Sequence, residues 1–138
     1  MKKLILFWLG CLALSMVAED LDEILRPITS NTPKNLSQFF LNEKVMIGIE
    51  TESFTLPESY YSARQGFYLL EKFSNYYELK SIIDQKSQTS GETIHYNLTV
   101  SSRDLKRDTV GKLHLSISIL KIEKKRSINK LIIREIKA

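Results

Sequence analysis

The sequence predicts an α+β domain in which N-terminal helices and one long helix pack on a curved antiparallel meander of strands. Three observations support this fold class. Apolar residues recur at helical spacing in the first half of the chain, they alternate with polar residues in the second half, and polar turns separate the alternating segments. Residues 19–138 suffice for one domain with one core, which can fold without disulfide bonds.

The first eighteen residues have the pattern of a secretory signal. Lys2 and Lys3 precede an apolar run that ends at Ala18, and acidic Glu19 follows. We therefore expect an exported protein of a bacterial periplasm or cell envelope, with residues 1–18 as its signal peptide. In the alternative, the residues up to Cys11 form a lipoprotein signal, and a lipid on Cys11 provides the only membrane attachment. The apolar run is shorter than the ~20 residues that a membrane-spanning helix needs.

Two short helices are predicted before the first strand. Apolar residues recur at helical spacing from Leu21 to Ile28 after an acidic first turn, and Pro27 is expected to shorten or kink this helix. A second helix is predicted from Pro33 to Phe40, with Thr32 as its N-cap.

A strand and the long helix follow. Residues from Glu43 to Thr51 alternate between apolar and polar, which predicts a strand, and Pro57 marks a loop. Ser62 and Gln65 fit a capping box, so the long helix is predicted from Ser62 to about Tyr77. Its buried stripe is predicted to consist of Phe67, Leu70, Phe73 and Tyr77, and to meet Ile94, Leu98, Leu115 and Ile117 of the sheet.

Four further strands are predicted to finish the chain as a meander. They cover Glu78 to Ser87, the alternating segment around Tyr96, a segment ending near Ile122, and Ile128 to Ile136. In the third of these strands the alternation changes near Ile119, which indicates a β-bulge or a strong bend.

A homodimer is predicted through the sheet face opposite the long helix. That face should be polar, yet four apolar residues fall on it, and an exposed apolar patch usually marks an interface. The four residues are Leu120, Ile122, Ile132 and Ile136. Alternatively, a bend tucks these side chains over the end of the sheet, or the N-terminal helix covers them.

The order of the predicted elements resembles the cone of nuclear transport factor 2-like, or cystatin-like, folds. Local motifs resemble, more narrowly, a family of small exported bacterial proteins classed only as a domain of unknown function. These motifs are Asn35-Leu36-Ser37-Gln38-Phe39-Phe40, Val45-Met46-Ile47-Gly48-Ile49, Tyr61-Ser62-Ala63-Arg64-Gln65, Leu70-Glu71-Lys72-Phe73 and Ile128-Asn129-Lys130-Leu131-Ile132-Ile133. The resemblance covers roughly Leu21 to Ile136, implies the cone fold, and brings no catalytic residues with it.

Composition argues against several functional classes. Cys11 is the only cysteine, so a processed chain would have no disulfide, no thiolate nucleophile and no cysteine metal site. The chain is net negative up to Ser102 and net positive beyond it, but no stacking aromatic residues accompany the basic residues from Lys121 to Lys130. We therefore predict no nucleic-acid partner. No phosphate-binding or other cofactor motif is present, so no cofactor is predicted.

The two histidines, His95 and His114, lie on the polar faces of adjacent predicted strands. A metal site would need a third ligand and a matching register. A turn centred between Lys106 and Arg107 pairs His95 with Ser118, whereas a turn centred nearer Asp104 would bring the histidines together. No metal site is predicted.

Tyrosines near the start of the long helix supply the binding candidates. We predict a binding site at the cone mouth formed by Tyr60, Tyr61, Tyr68 and Asp84. Related cone folds include isomerases that use a buried carboxylate and a tyrosine hydroxyl, which would make Asp84 with Tyr60 or Tyr61 the catalytic candidates.

No complete catalytic set is present in the sequence. The leading hypothesis is therefore a non-enzymatic envelope module that binds a small molecule or a protein through the cone cavity or the open sheet face. The alternative is a small pocket-based enzyme, isomerase-like or hydrolase-like, of the same fold. An enzyme should have an open apolar pocket with Asp84 or a histidine buried in it. A binding module should have its cone filled, by Phe39, Phe67, Leu70 and Phe73.

Overall fold

The computed structural model describes residues 23–40, 44–122 and 125–137. Helix α1 covers residues 23–29, a 3-10 helix covers Pro33–Phe39, and helix α2 covers Ala63–Phe73. The strands are β1 (Val45–Glu50), β2 (Thr55–Tyr61), β3 (Tyr77–Ser90), β4 (Thr93–Asp104), β5 (Thr109–Ile122) and β6 (Lys125–Ile136). The predicted signal peptide and Cys11 lie outside the described residues. Within these ranges, no helix has the length and apolar character needed to cross a membrane.

The six strands form one curved sheet in the order β2-β1-β6-β5-β4-β3. Strands β3 to β6 are antiparallel neighbours in sequence order, which confirms the predicted meander. The sheet is mixed rather than wholly antiparallel, because β1 pairs with β6 in parallel. The predicted loop at Pro57 is wrong, since Pro57 lies within β2. Proline lacks a backbone N–H, and an edge strand tolerates this because one side of its backbone has no strand to pair with.

Helix α2 begins at the predicted capping box. Gln65 N donates to Ser62 Oγ at 3.2 Å, and Ser62 N donates to Gln65 Oε1 at 3.0 Å. The helix ends at Phe73, and Tyr77 begins β3 instead of extending the helix as predicted.

The buried stripe of α2 begins at Gly66 rather than at the predicted Phe67. It contains Gly66, Leu70 and Phe73, whereas Phe67 is only half-buried. A Cβ atom at Gly66 would lie 2.6 Å from Cε2 of Phe40, so the absence of a side chain there allows close approach to the segment before β1. That approach turns Phe67 towards the rim of the core.

The N-terminal helices contribute buried side chains to the core. Helix α1 is present as predicted, its residues Ile24, Leu25 and Ile28 are buried, and Asn31 beyond its end has a φ of 57°. Pro33 begins the 3-10 helix and Thr32 occupies the N-cap position, as predicted, but the Thr32 side chain makes no capping hydrogen bond.

The cone is filled by the side chains of its own helices and strands. Leu36, Leu70, Phe73 and Tyr77 are fully buried, together with Leu98, Leu115 and Ile117 of the sheet. Phe73 and Tyr77 stack with ring centroids 5.2 Å apart. Phe39 and Ile94, which were predicted in the core, are half-buried and pack at its margin.

The predicted irregularity near Ile119 is a bulge whose extra residue is on β6. Ser118 pairs with Lys130 and Ile119 pairs with Ile128, which leaves Asn129 as the extra residue. Strand β5 therefore keeps its alternation through Ile119, which is buried in the core.

The four residues predicted to form a dimer patch do not lie together. Ile132 is 5% exposed and lies over Gly48, so its own chain covers it. Leu120 is half-buried, and the side chain of Ile122 lies outside the described part. Ile136 pairs with Lys112, eight residues from Leu120 along β5. At ~3.3 Å per residue, that separation is about 26 Å. Dimerisation through these residues stays a prediction, without a continuous patch to support it.

Candidate functional site

A polar cluster lies where the β1–β2 hairpin meets the β4–β5 turn. Asp104 is 3% exposed and accepts four hydrogen bonds. Ser53 Oγ donates at 2.5 Å and Arg107 Nε donates at 2.8 Å, both to Oδ2. The backbone N–H groups of Lys106 and Arg107 donate to Oδ1, each at 3.0 Å. Both oxygens of this carboxylate are therefore saturated, and none is left to accept a proton from a substrate.

The charge of Asp104 is stabilised in place. Burial by itself would raise the pKa of its carboxyl group, but the hydrogen bonds from Ser53 and Arg107 and the positive charge of Arg107 outweigh it. They hold the pKa of Asp104 well below its ordinary value. A carboxylate held ionised in this way is a poor general acid or base near neutral pH.

Neighbouring groups extend this polar cluster to the end of β6. Arg107 also donates to Glu135 Oε1 at 2.8 Å, and the other oxygen of Glu135 accepts from Glu52 N at 3.1 Å. The Tyr77 hydroxyl accepts from Ser53 N at 3.1 Å. A cleft of about 500 Å³ lies against these groups. Its charged lining groups are largely engaged with one another, so the cluster is primarily a connection between two turns and the end of β6.

A second cleft lies on the sheet face opposite the helices, which we call the outer face. Its volume is about 330 Å³. The described residues that line it are Lys44, Met46, Tyr60, Thr93, His95, Ser118, Asn129 and Lys130. This lining contains two lysines and no carboxylate, so it favours a negatively charged ligand.

The outer-face cleft contains one side-chain hydrogen bond and one buried acceptor without a partner among the described residues. His95 Nδ1 and Ser118 Oγ are 2.8 Å apart, and Ser118 is 4% exposed. Asn129 Oδ1 is buried and has no hydrogen-bond partner, the one such side-chain atom in the part of the chain that the structure describes. A buried acceptor without a partner is costly, so each case calls for an explanation.

The position of the turn between β4 and β5 determines whether His95 and His114 face each other. Asp104 pairs with Thr109, so the turn is centred between Lys106 and Arg107. His95 therefore pairs with Ser118, as the sequence analysis predicted for this turn, and His114 pairs with Thr99. Across the described ranges, no group of three or more potential ligands could hold a metal ion.

The predicted binding residues lie on three different elements. Tyr60 is 61% exposed on β2 and lines the outer-face cleft. Tyr61 is half-buried and donates to the carbonyl oxygen of Pro57 at 3.2 Å. Tyr68 is exposed on α2. Asp84 is exposed on β3, at the sheet edge opposite the tyrosine-bearing strand, with four strands between them.

Sequence reasoning missed Asn129, Ser53 and Asp104. The change of pattern near Ile119 predicts an irregularity there, but only the observed register shows that its extra residue is Asn129 of β6. The contact between Ser53 and Asp104 joins turns 51 residues apart, for which no local pattern gives a signal.

Comparisons with known proteins agree on the fold. No family model and no curated protein matches the chain. A DUF4783 family protein from Bacteroides ovatus matches with a TM-score of 0.65 and 10% identity, covering 83% of this chain and 94% of that chain. A second one, from Bacteroides uniformis, matches with a TM-score of 0.64 and 13% identity, covering 83% and 95%.

A third similar structure carries the fold name itself. It is an NTF2-like protein with a cystatin-like fold from Novosphingobium aromaticivorans, with a TM-score of 0.63 and 8% identity, covering 95% of this chain and 89% of that chain. The α+β cone predicted from the sequence is therefore confirmed. The resemblance to a domain of unknown function is confirmed as a likeness of fold.

Proposed function

We propose that this protein is an exported, non-enzymatic module of the bacterial envelope that binds its ligand in the outer-face cleft. The pattern of residues 1–18 supports export. The filled cone supports the outer face over the interior as the binding surface, because Leu70, Phe73 and Tyr77 occupy the volume that a ligand in the cone would need.

The observation that carries this proposal is the buried Oδ1 atom of Asn129, which has no partner among the described residues. Asn129 is one of the residues that line the cleft, so a turn of its side chain would bring this acceptor to a hydroxyl or amino group of a ligand. An unsatisfied acceptor in the free protein is a cost that ligand binding removes, and this difference contributes to affinity.

The charge of the lining indicates the class of ligand. Lys44 and Lys130 supply two positive charges, and His95 and Tyr60 supply groups that can donate hydrogen bonds. We therefore propose a small anion that also carries a hydroxyl or amino donor, such as a sugar acid or a hydroxy acid. A neutral sugar would satisfy Asn129 but not the lysines, and inorganic sulfate would do the reverse.

A screen by nuclear magnetic resonance tests this proposal. The isotope-labelled protein is titrated with gluconate, glucose and sulfate, and amide shifts are followed. Gluconate should shift the amides of Met46, His95, Ser118 and Lys130, and should do so at lower concentration than glucose or sulfate. If no probe shifts these amides, or if the shifts fall around Asp104, the proposed site is wrong.

A second candidate function rests on the contact between His95 and Ser118. A serine hydroxyl 2.8 Å from an imidazole nitrogen is the start of a nucleophile-and-base arrangement, as in hydrolases. Three features weigh against it: Ser118 is buried, no described contact orients His95, and the pair is a directly opposed cross-strand pair. A fluorophosphonate probe discriminates, since covalent labelling of Ser118 would support hydrolysis and an unlabelled protein would support the binding module.

A further inference from the structure

The outer half of strand β3 is an open edge of the sheet. Its residues from Ser81 to Ser90 are exposed, apart from the half-buried Ile82, and β4 is its only partner strand among the described residues. Closer to the core the edge is occupied, because Asn31 Oδ1 accepts a hydrogen bond from the Leu79 N–H at 2.8 Å. Beyond Leu79 no such contact from another described element reaches the edge.

The two edges of the sheet differ in their protection. Edge strand β2 has seven residues, contains Pro57, and has an irregular register with β1. These features discourage a further strand from pairing. From Asp84 to Ser90, by contrast, β3 pairs with β4 without interruption and contains neither proline nor glycine. This segment therefore presents a regular row of backbone donors and acceptors.

We propose that two copies of this chain pair antiparallel along this edge of β3, with Gln85 of one copy opposite Gln85 of the other. A twofold axis perpendicular to the sheet keeps each residue on its own face, so opposed residues must belong to the same face. Because neighbouring residues of a strand lie on opposite faces, the twofold axis cannot lie at the midpoint between two successive residues. It must lie at the height of one residue, which is then opposite its own copy. In this register Asp84 of each copy faces Lys86 of the other, on the outer face of the joined sheet.

Charge selects this register over its alternatives. An axis level with Asp84 would oppose two aspartates, and an axis level with Lys86 would oppose two lysines. An axis level with Ser87 would place Asp84 and Lys86 opposite uncharged residues. An axis level with any residue from Gln88 to Ser90 would place each of them opposite an uncharged residue or beyond the end of the partner strand. Only the register centred on Gln85 forms two opposite-charge pairs within the uninterrupted segment.

The proposed partner is a second copy because the charge pattern is self-complementary. A strand of another protein would need its own matching pattern, whereas Asp84 and Lys86 already match their symmetry mates. The joined edge would bury few apolar groups, since this segment is polar on both faces, so the dimer should be weak and salt-sensitive. Pairing along the edge leaves the outer-face cleft of each copy open.

Sedimentation equilibrium on the full chain, expressed and processed in a bacterial host, tests this proposal. The wild type should dimerise at concentrations up to about 0.5 mM, with a weaker dimer at high salt. D84K and K86D should each raise the dissociation constant at least tenfold, because each opposes like charges twice. The double variant D84K/K86D exchanges the partners of both pairs, so it should restore dimerisation to within about twofold of the wild type.

K112D is the matched control, since it makes the same charge change on the central strand β5 and should leave dimerisation unaltered. Circular dichroism establishes that each variant is folded, which is expected because both side chains are exposed. A monomeric wild type would overturn the proposal. So would single reversals without effect, or a double variant that fails to recover.

Discussion

Ser53 Oγ lies 2.5 Å from Asp104 Oδ2 and joins the β1–β2 hairpin to the β4–β5 turn. Ser53 lies in the β1–β2 turn, and Asp104 lies at the end of β4, beside the β4–β5 turn. Strands β1 and β2 pair with neither β4 nor β5, so this hydrogen bond connects the two turns directly. The Arg107 side chain adds Glu135 of β6 to the same cluster. This end of the sheet is thus held together by a charged hydrogen-bond network, in addition to the packing of the Phe54 ring on Phe73 and Tyr76.

Replacing Asp104 should make stability less dependent on pH. The pKa of Asp104 is held well below the value of about 3.9 found in an unfolded chain. Its stabilisation is therefore fully present above the unfolded pKa, and is lost as the pH falls through the folded pKa. D104N should lower the free energy of unfolding at pH 7 by about 1.5–3 kcal/mol. Its free energy of unfolding should also fall less between pH 7 and pH 3 than that of the wild type does.

Urea unfolding at pH 7 and at pH 3 measures both effects. S53A is the matched variant, because it removes one hydrogen bond and leaves the carboxylate ionised. Its cost at pH 7 should be smaller than that of D104N. A D104N variant whose stability falls with acidification as steeply as that of the wild type would contradict this account of the charge.

Phe73 should matter far more to stability than Phe67. Phe73 is fully buried and touches Phe54 and Tyr77, whereas Phe67 is half-buried at the rim. F73A should lower the free energy of unfolding by about 3–5 kcal/mol, and F67A should cost less. Chemical denaturation of both variants gives the comparison, and equal losses would mean that the stripe of α2 has been assigned incorrectly.

Gly66 should resist substitution although it lies within a helix. Alanine normally stabilises a helix relative to glycine, but a Cβ here would lie 2.6 Å from Phe40 Cε2 and 3.0 Å from Ile47 Cδ1. G66A should therefore destabilise the protein by about 1–3 kcal/mol. G111A is the control, because a Cβ at Gly111 meets no atom within 4 Å. Thermal unfolding should show G111A at least as stable as the wild type.

Export should be visible in the mass of the mature protein. We expect the residues before Glu19 to be removed, or Cys11 to become the lipid-bearing N-terminus. Mass spectrometry of the protein from the envelope fraction of its own cells discriminates between the two forms. An unprocessed chain in the cytosolic fraction would contradict export.

Most of the fold follows from local patterns in the sequence. Alternation from Tyr96 to Ile119 gives the central strands, and the capping box of Ser62 and Gln65 fixes the start of α2. Where prediction failed, the cause was tertiary. Pro57 is compatible with a strand only because β2 is at an edge, and the stripe of α2 is shifted because Gly66 contacts Phe40.

The candidate site was less predictable than the fold. His95 could be placed opposite Ser118 by counting residues from the turn. The position of Asn129 depends on a bulge, and its missing hydrogen bond depends on every neighbour within reach, so neither could be obtained from spacing alone. Tyr60 belongs to the cleft through the register of β2, the strand that the sequence did not predict.

The most direct test of the central claim measures stability and binding on N129A. Removing a buried acceptor that has no partner should leave the free energy of unfolding unchanged or raise it by up to about 1–2 kcal/mol. The same variant should bind gluconate at least tenfold more weakly, while N97A, which removes an exposed asparagine of the same face, should alter neither property. A loss of stability in N129A together with unchanged binding would make Asn129 a structural residue and would contradict the outer-face cleft as the binding site.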